Sequence, residues 1–240
     1  MDARFYGAGL AKLAVQDLTG PLIVIEGADG VGRSTHMELL QGWLEGHGLA
    51  VLSTGLVRSS LTRRGILSAK EGHSFDRTTM ALFYATDLAD RIEHEIIPGM
   101  RSGFVVLSDR YVFTTMARGA ARGLNRDWLA KLYGVALIPN RVFFLRLDPE
   151  ELIRRTLRRG GELDYWESGR DTGLAPDLYT SFRAYQTLIL QEFDRMAEAY
   201  GFVTIDASRS VEEVQAELRR GVAAFLDPGL LNPPPPDAGD

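Results

Sequence analysis

Short, wholly apolar runs alternate along the chain with longer stretches in which apolar residues recur every three or four positions. The short runs show no polar alternation, the pattern of strands buried on both faces. They are PLIVIEG (21–27), LAVLSTG (49–55), FVVLSDR (104–110), RVFFLRLD (141–148) and FVTIDA (202–207). The longer stretches read as helices. THMELLQGWLEGHG (35–48) is amphipathic and closes on glycine, and two further helices are expected near Leu61–Lys70 and Phe75–Met100. Others are expected at Thr114–Arg122, Arg126–Tyr133, Pro149–Arg159, Leu178–Tyr200 and 210–226, with 160–177 irregular. Apolar strands separated by helices imply an α/β fold, a five-stranded parallel sheet covered on both faces. Ligands of such sheets bind beyond the carboxyl ends of the strands. The chemistry is therefore expected just after Glu26, Ser53, Ser108 and Asp148.

With 240 residues, 45% of them hydrophobic, the chain suits one domain. Residues 1–20 read as an N-terminal extension with a turn or two of helix, 21–226 as the domain, and the proline-rich 227–240 as a disordered tail. A net charge of −5 gives no reason to expect nucleic acid or an acidic membrane as partner. The chain has no cysteine, which excludes disulfides and thiolate chemistry. No apolar run reaches the roughly 18 residues of a membrane span, and the N-terminus lacks a signal pattern. A soluble, cytoplasmic protein is expected. His36, His47, His73 and His94 show no metal-ligand spacing.

EGADGVGRST (26–35) follows a strand and opens a helix. Its spacing fits the phosphate-binding loop G-x-x-x-x-G-K-[ST] at every position but one, where Arg33 replaces lysine. Gly27, Gly30 and Gly32 let backbone N–H groups around Asp29 and Val31 curl toward phosphate oxygens. Ser34 is placed to give its hydroxyl to Mg²⁺. Arg33 keeps the charge but is planar and bulkier than an ammonium; working catalysis and nucleotide binding without turnover both remain open. In SDRY (108–111), Asp109 is a candidate Mg²⁺ ligand and Arg110 a clamp for phosphoryl oxygens. Arg154, Arg155, Arg158 and Arg159 precede the glycine-rich 160–177, and together they read as a basic lid over about 154–178. Tyr84, Asp87 and Arg91 share a helix face. They either present an aromatic surface and a cation to an acceptor nucleotide, or form core plus an i,i+4 ion pair.

These segments, with "YATDLADRIEHEIIPGMRSGFVVLSDRY", "ARGAARG", "RRGGELD" and "VTIDAS" in that order, resemble the thymidylate kinase family of P-loop nucleoside monophosphate kinases. The resemblance covers roughly Pro21 to Leu226. It implies a lid-bearing P-loop kinase that uses ATP and Mg²⁺ to phosphorylate dTMP. A non-catalytic nucleotide binder, or a kinase for another small acceptor, are the alternatives. It implies donor phosphates on Gly30, Gly32, Arg33, Ser34 and Thr35, and Asp29 facing the acceptor sugar. Asp109 and Arg110 are then expected between donor and acceptor phosphates, and Arg158 or Arg159 is the lid's catalytic arginine. It also implies a homodimer. The chain departs from the family pattern at several positions. The acceptor-side arginine aligns with Leu88, so Arg91, almost a turn later, is its candidate substitute. Arg58 is the candidate arginine after the second strand, and Arg118 falls in the segment expected to read the base.

Overall fold

A computed structural model describes residues 4–11, 13–72, 74–158 and 163–226. The expected tail from Asp227, His73 and Arg159 lie outside the described residues. The five strands are β1 (Leu22–Gly27), β2 (Val51–Gly55), β3 (Val105–Asp109), β4 (Arg141–Arg146) and β5 (Val203–Asp206). They form one parallel sheet in the order β2-β3-β1-β4-β5. Strand alternation sends neighbouring residues to opposite faces, and both faces are dry here. Leu22 and Val24 of β1 join Val106, Val142 and Phe144 in one core. Ile23 and Ile25 join Leu107, Phe143 and Leu145 in the other. That double burial is why the strands are apolar throughout, and each such side chain contributes about 1.5–3 kcal/mol.

Helices α1 (Arg33–Gly46), α7 (Pro149–Arg158) and α9 (Val211–Ala223) cover the second core. The first is covered by α2 (Arg63–Gly72), α3 (Arg77–Arg91), α4 (Ile97–Arg101), α5 (Val112–Ala121), α6 (Arg126–Leu132) and α8 (Leu178–Tyr200). Helix α8 has the bounds its periodicity predicts. Asp177 caps it by accepting from the Thr180 N–H at 2.8 Å, and Gly201 ends it in a left-handed conformation. Among the described residues no helix is long and apolar enough to cross a membrane.

Two regions differ from expectation. The helix expected from Phe75 to Met100 is not uniform: α3 ends at Arg91, Ile92–Ile96 is π-helical, and α4 follows. Pro98 in α4 has no N–H to return to the His94 carbonyl, and its ring needs space there. Widening the preceding turn removes the conflict. Residues 4–11 form no helix but a bent strap. Phe5 makes an antiparallel bridge to Leu137. The N–H of Tyr6 donates to the Ala136 carbonyl at 2.9 Å and that of Ile138 to the Arg4 carbonyl at 2.7 Å. The Tyr6 ring meets Phe113 at 5.8 Å and Tyr200 at 5.3 Å, edge-on to both. Tertiary pairing and aromatic packing outweigh any local helical preference of so short a segment.

Tyr6→Ala removes those aromatic contacts from a half-buried position. Its expected cost is about 2 kcal/mol, read as a lower denaturation midpoint with unchanged slope. No change in midpoint would mean that the strap is not part of the cooperative unit.

Candidate active site

At the carboxyl edge of the sheet, strand register sets Gly55 and Asp109 level with Ile25, and Gly27, two residues further along β1, level with Leu145. The phosphate loop leaves β1 there. Gly27, Gly30 and Gly32 hold φ of 151°, 80° and 105°. A Cβ on Gly27 would lie 2.8 Å from the Leu145 carbonyl oxygen. Val31 is buried in the second core and anchors the loop. Gly32 provides no side-chain cap to α1, so the first-turn N–H groups around Ser34 and Thr35 stay available to an anion. Arg33 is buried against its own loop. Its Nη1 donates to the carbonyls of Gly27 and Ala28, and its Nε to Asp109 Oδ1 at 2.7 Å. Nη2 lies 3.6 Å from Asp29 Oδ1.

Beyond β3 the chain turns sharply, and Arg110 takes φ 68°. A non-glycine residue in that region costs of order 1–3 kcal/mol and persists only where surroundings hold it. Glu26, buried at the end of β1, does the holding. Oε1 accepts from the N–H groups of Tyr111 at 2.8 Å and Thr114 at 3.3 Å, and Oε2 from the Thr114 hydroxyl at 2.6 Å. The Ser108 hydroxyl donates to the Arg110 carbonyl at 2.6 Å and closes the turn. Burial pushes the Glu26 carboxyl up to about 7, against the hydrogen bonds from Thr114 and Tyr111 and the charges of Arg33 and Arg110. Burial likewise brings Arg110 down to about 9, with the nearby Arg118 acting in the same direction. The Arg110 guanidinium reaches Asp29 through Nη2. Its Nε is buried without a hydrogen-bond partner among the described residues. An orphaned guanidinium N–H beside a glycine-rich helix N-terminus fits a phosphate oxygen.

The segment after β2 has the same construction. Val57 takes φ 61°, unusual for a β-branched residue. Asp87 of α3 accepts from the N–H of Val57 at 3.1 Å and of Ser59 at 3.0 Å. The turn places Arg58 on a cavity shared with Arg33, Gly55, Asp109 and Arg110. A second cavity opens between α3 and α5, lined by Phe75, Arg77, Tyr84, Arg118, Arg122 and Trp166 among others. Arg118 also donates to Asp29 Oδ2 at 2.6 Å, which joins this cavity to the phosphate loop.

A family model described as Thymidylate kinase matches residues 25–218. A protein named "Probable thymidylate kinase 2" from Saccharolobus solfataricus is 35% identical over 214 residues, 89% of this chain and 100% of the relative. "Thymidylate kinase" from Clavibacter michiganensis is 33% identical over 220 residues, 88% and 99% of the two chains. "Probable thymidylate kinase" from Pyrococcus abyssi is 29% identical over 211 residues, 84% and 95%. The chain belongs to the thymidylate kinase family. It is a nucleoside monophosphate kinase with the P-loop fold of that family.

In this kinase the residues of the loop, Asp109, Arg110, Arg58, Tyr84 and Arg118 gather at one edge of the sheet, around connected cavities. Arg91 stands apart. It is 2% exposed, its Nε donates to Asp87 at 3.0 Å and its Nη1 to the Thr54 hydroxyl at 3.3 Å. Of the two readings of that helix face, the structure has the ion pair for Arg91, while Tyr84 lines the cavity. Arg158 is exposed at the end of α7. Sequence reasoning passed over Glu26, Arg77, Arg122 and Trp166. Arg122 lies one helical turn after Arg118, and that i,i+4 spacing was a usable signal. It donates to both Asp171 oxygens, at 2.7 and 3.0 Å, and lies 4.7 Å from the Tyr185 ring. Committed to these partners, it is a cavity wall. Glu26 was signalled only as a lone charge in an apolar strand.

Because the folded state raises the Glu26 carboxyl from 4.5 to about 7, it binds that proton more tightly than the unfolded chain. The favourable contribution is complete below 4.5 and is lost as pH rises through 7. Glu26→Gln does not titrate. The melting temperature of the unmodified protein should therefore fall relative to Glu26→Gln across that window and then level. A difference that stays constant with pH would contradict the raised carboxyl.

Proposed function

We propose that the site transfers the γ-phosphoryl group of ATP to dTMP, giving ADP and dTDP. The observation that carries the reading is the convergence of the phosphate loop, the Arg110 guanidinium with its unpartnered Nε, and Arg58 beside an aromatic-walled cavity. ATP brings the transferred group, and Mg²⁺ neutralises charge on its phosphates. Ser34 and Asp109 would hold the metal. Among the described residues no group of three or more His, Cys, Asp or Glu is placed to hold an ion. One carboxylate and a hydroxyl, completed by phosphate oxygens, is the set that suits Mg²⁺.

The protein's part is positioning and charge stabilisation, with no covalent intermediate. Loop N–H groups from Gly30 to Thr35 hold the donor phosphates. Arg33 spends Nη1 and Nε on its own loop and on Asp109, and Nη2 serves the terminal phosphate. Arg110 and Arg58 take the acceptor phosphate, Asp29 the acceptor sugar, and Tyr84, Arg118, Arg77 and Trp166 surround the base. Arg158 and Arg159, in a lid over about 154–178, add positive charge as the lid closes. A cytoplasmic homodimer completes the proposal. The exposed Leu61, Leu67 and Leu82 around α2 and α3 support a face for a second copy, and light scattering tests it.

The deciding assay offers Mg²⁺-ATP with a panel of nucleoside monophosphates. Turnover highest with dTMP is expected, and ATP binding with no turnover on any acceptor would reject the proposal. Asp109→Ala and Arg110→Ala should each lower kcat/KM by roughly 10²–10³. Arg33→Lys keeps the charge but not the planar set of donors. It should keep turnover within about tenfold while lowering the melting temperature, since a single ammonium cannot replace all three contacts.

A further inference from the structure

Among the described residues, Val57 and Arg110 are the non-glycine residues with positive φ. Arg110 lines the cavity it shares with Arg58, and Val57 immediately precedes Arg58 in the chain. Each strained turn is gripped by a carboxylate that is 0% exposed, Glu26 for Arg110 and Asp87 for the turn that carries Arg58. The grip of Asp87 is specific in direction. Its Oδ2 accepts from the N–H before Arg58 and its Oδ1 from the N–H after it. One side chain thus fixes the backbone on both flanks of a single arginine.

The ion pair with Arg91 does not account for this. Arg91 supplies one of four donors to Asp87, the others being the Val57 and Ser59 N–H groups and the Thr62 hydroxyl. A carboxylate has about four acceptor sites, so Asp87 is saturated, and two of its sites go to the turn. Ser59 is tied to α3 a second time, its hydroxyl donating to Asp90 at 2.5 Å. Tyr84, three residues before Asp87 on α3, lines the cavity assigned to the base. One helix therefore sets both an aromatic wall of that cavity and the backbone of the phosphate cation.

We propose that Asp87 is a positioning residue for the phosphoryl acceptor: it holds Val57 in the left-handed region and so aims Arg58 into the cavity beside Arg110. The proposal rests on the reading that Arg58 takes the acceptor phosphate.

The experiment measures KM for dTMP, KM for ATP, kcat and melting temperature on full-length Asp87→Asn, Val57→Gly, their combination, Val57→Pro and Arg58→Ala. In Asp87→Asn one oxygen becomes a donor facing N–H groups, so KM for dTMP should rise about tenfold with KM for ATP within about twofold. Glycine adopts positive φ without strain. Val57→Gly should be near normal alone and should recover most of the loss in the Asp87→Asn background. Val57→Pro forces φ negative and removes one N–H while leaving the Asp87–Arg91 pair intact. It should raise KM for dTMP similarly, which keeps the test decisive even if Asp87→Asn fails to fold. A lower melting temperature with unchanged KM for dTMP in both Asp87→Asn and Val57→Pro would overturn the proposal. An unchanged KM in Arg58→Ala would instead overturn the phosphate reading beneath it.

Discussion

Burying a carboxylate without an ion-pair partner is costly, and Glu26 is 0% exposed at the end of the central strand. Two backbone N–H groups and a hydroxyl offset that cost. All three belong to the start of α5 and the turn ahead of it. One side chain therefore ties three elements together. β1 runs on into the phosphate loop, the turn carries Arg110, and α5 carries Arg118, and Arg122 at its end, into the neighbouring cavity. The phosphate-loop segment, Arg110 and the cavity between α3 and α5 share this junction, and their relative placement follows from it.

The electrostatics around the junction contrast with the chain as a whole. Net charge is −5, yet Arg33, Arg110 and Arg118 all point at Asp29. Asp29 and Asp109 keep these guanidinium groups apart and oriented. Their like-charge repulsion is then offset within the protein, and the groups do not have to reorganise when an anion arrives, which is the economy of a preorganised site.

Periodicity exposed most of the architecture. The double-sided burial of β1, β3 and β4 and the whole of α8 follow from local patterns of apolar residues, and so did their bounds to within a few residues. The glycine loop around Gly27–Ser34 was legible in the same way, because its motif is contiguous. The order β2-β3-β1-β4-β5 was not legible, since it depends on crossovers. Nor were the grips of Glu26 and Asp87, which span 88 and 30 residues to Thr114 and Val57. Asp87 and Arg91 looked alike as polar residues on one helix face. Only the packing of α3 against the end of β2 reveals that both point inward. The π-helical turn before Pro98 was missed for a narrower reason. The proline was visible, but a widened turn and a break are equivalent in one dimension.

The strap at residues 4–11 has a consequence for the order in which the chain assembles. Tyr6 rests on Phe113 and Tyr200, so its site is finished only when nearly the whole domain has been made. Residues 4–11 precede every strand and must wait for α8 before they can dock. Their contacts are among the most sequence-distant in the molecule, and closing so long a loop comes late. A segment made ahead of the sheet is thus locked only after the sheet's longest covering helix is in place.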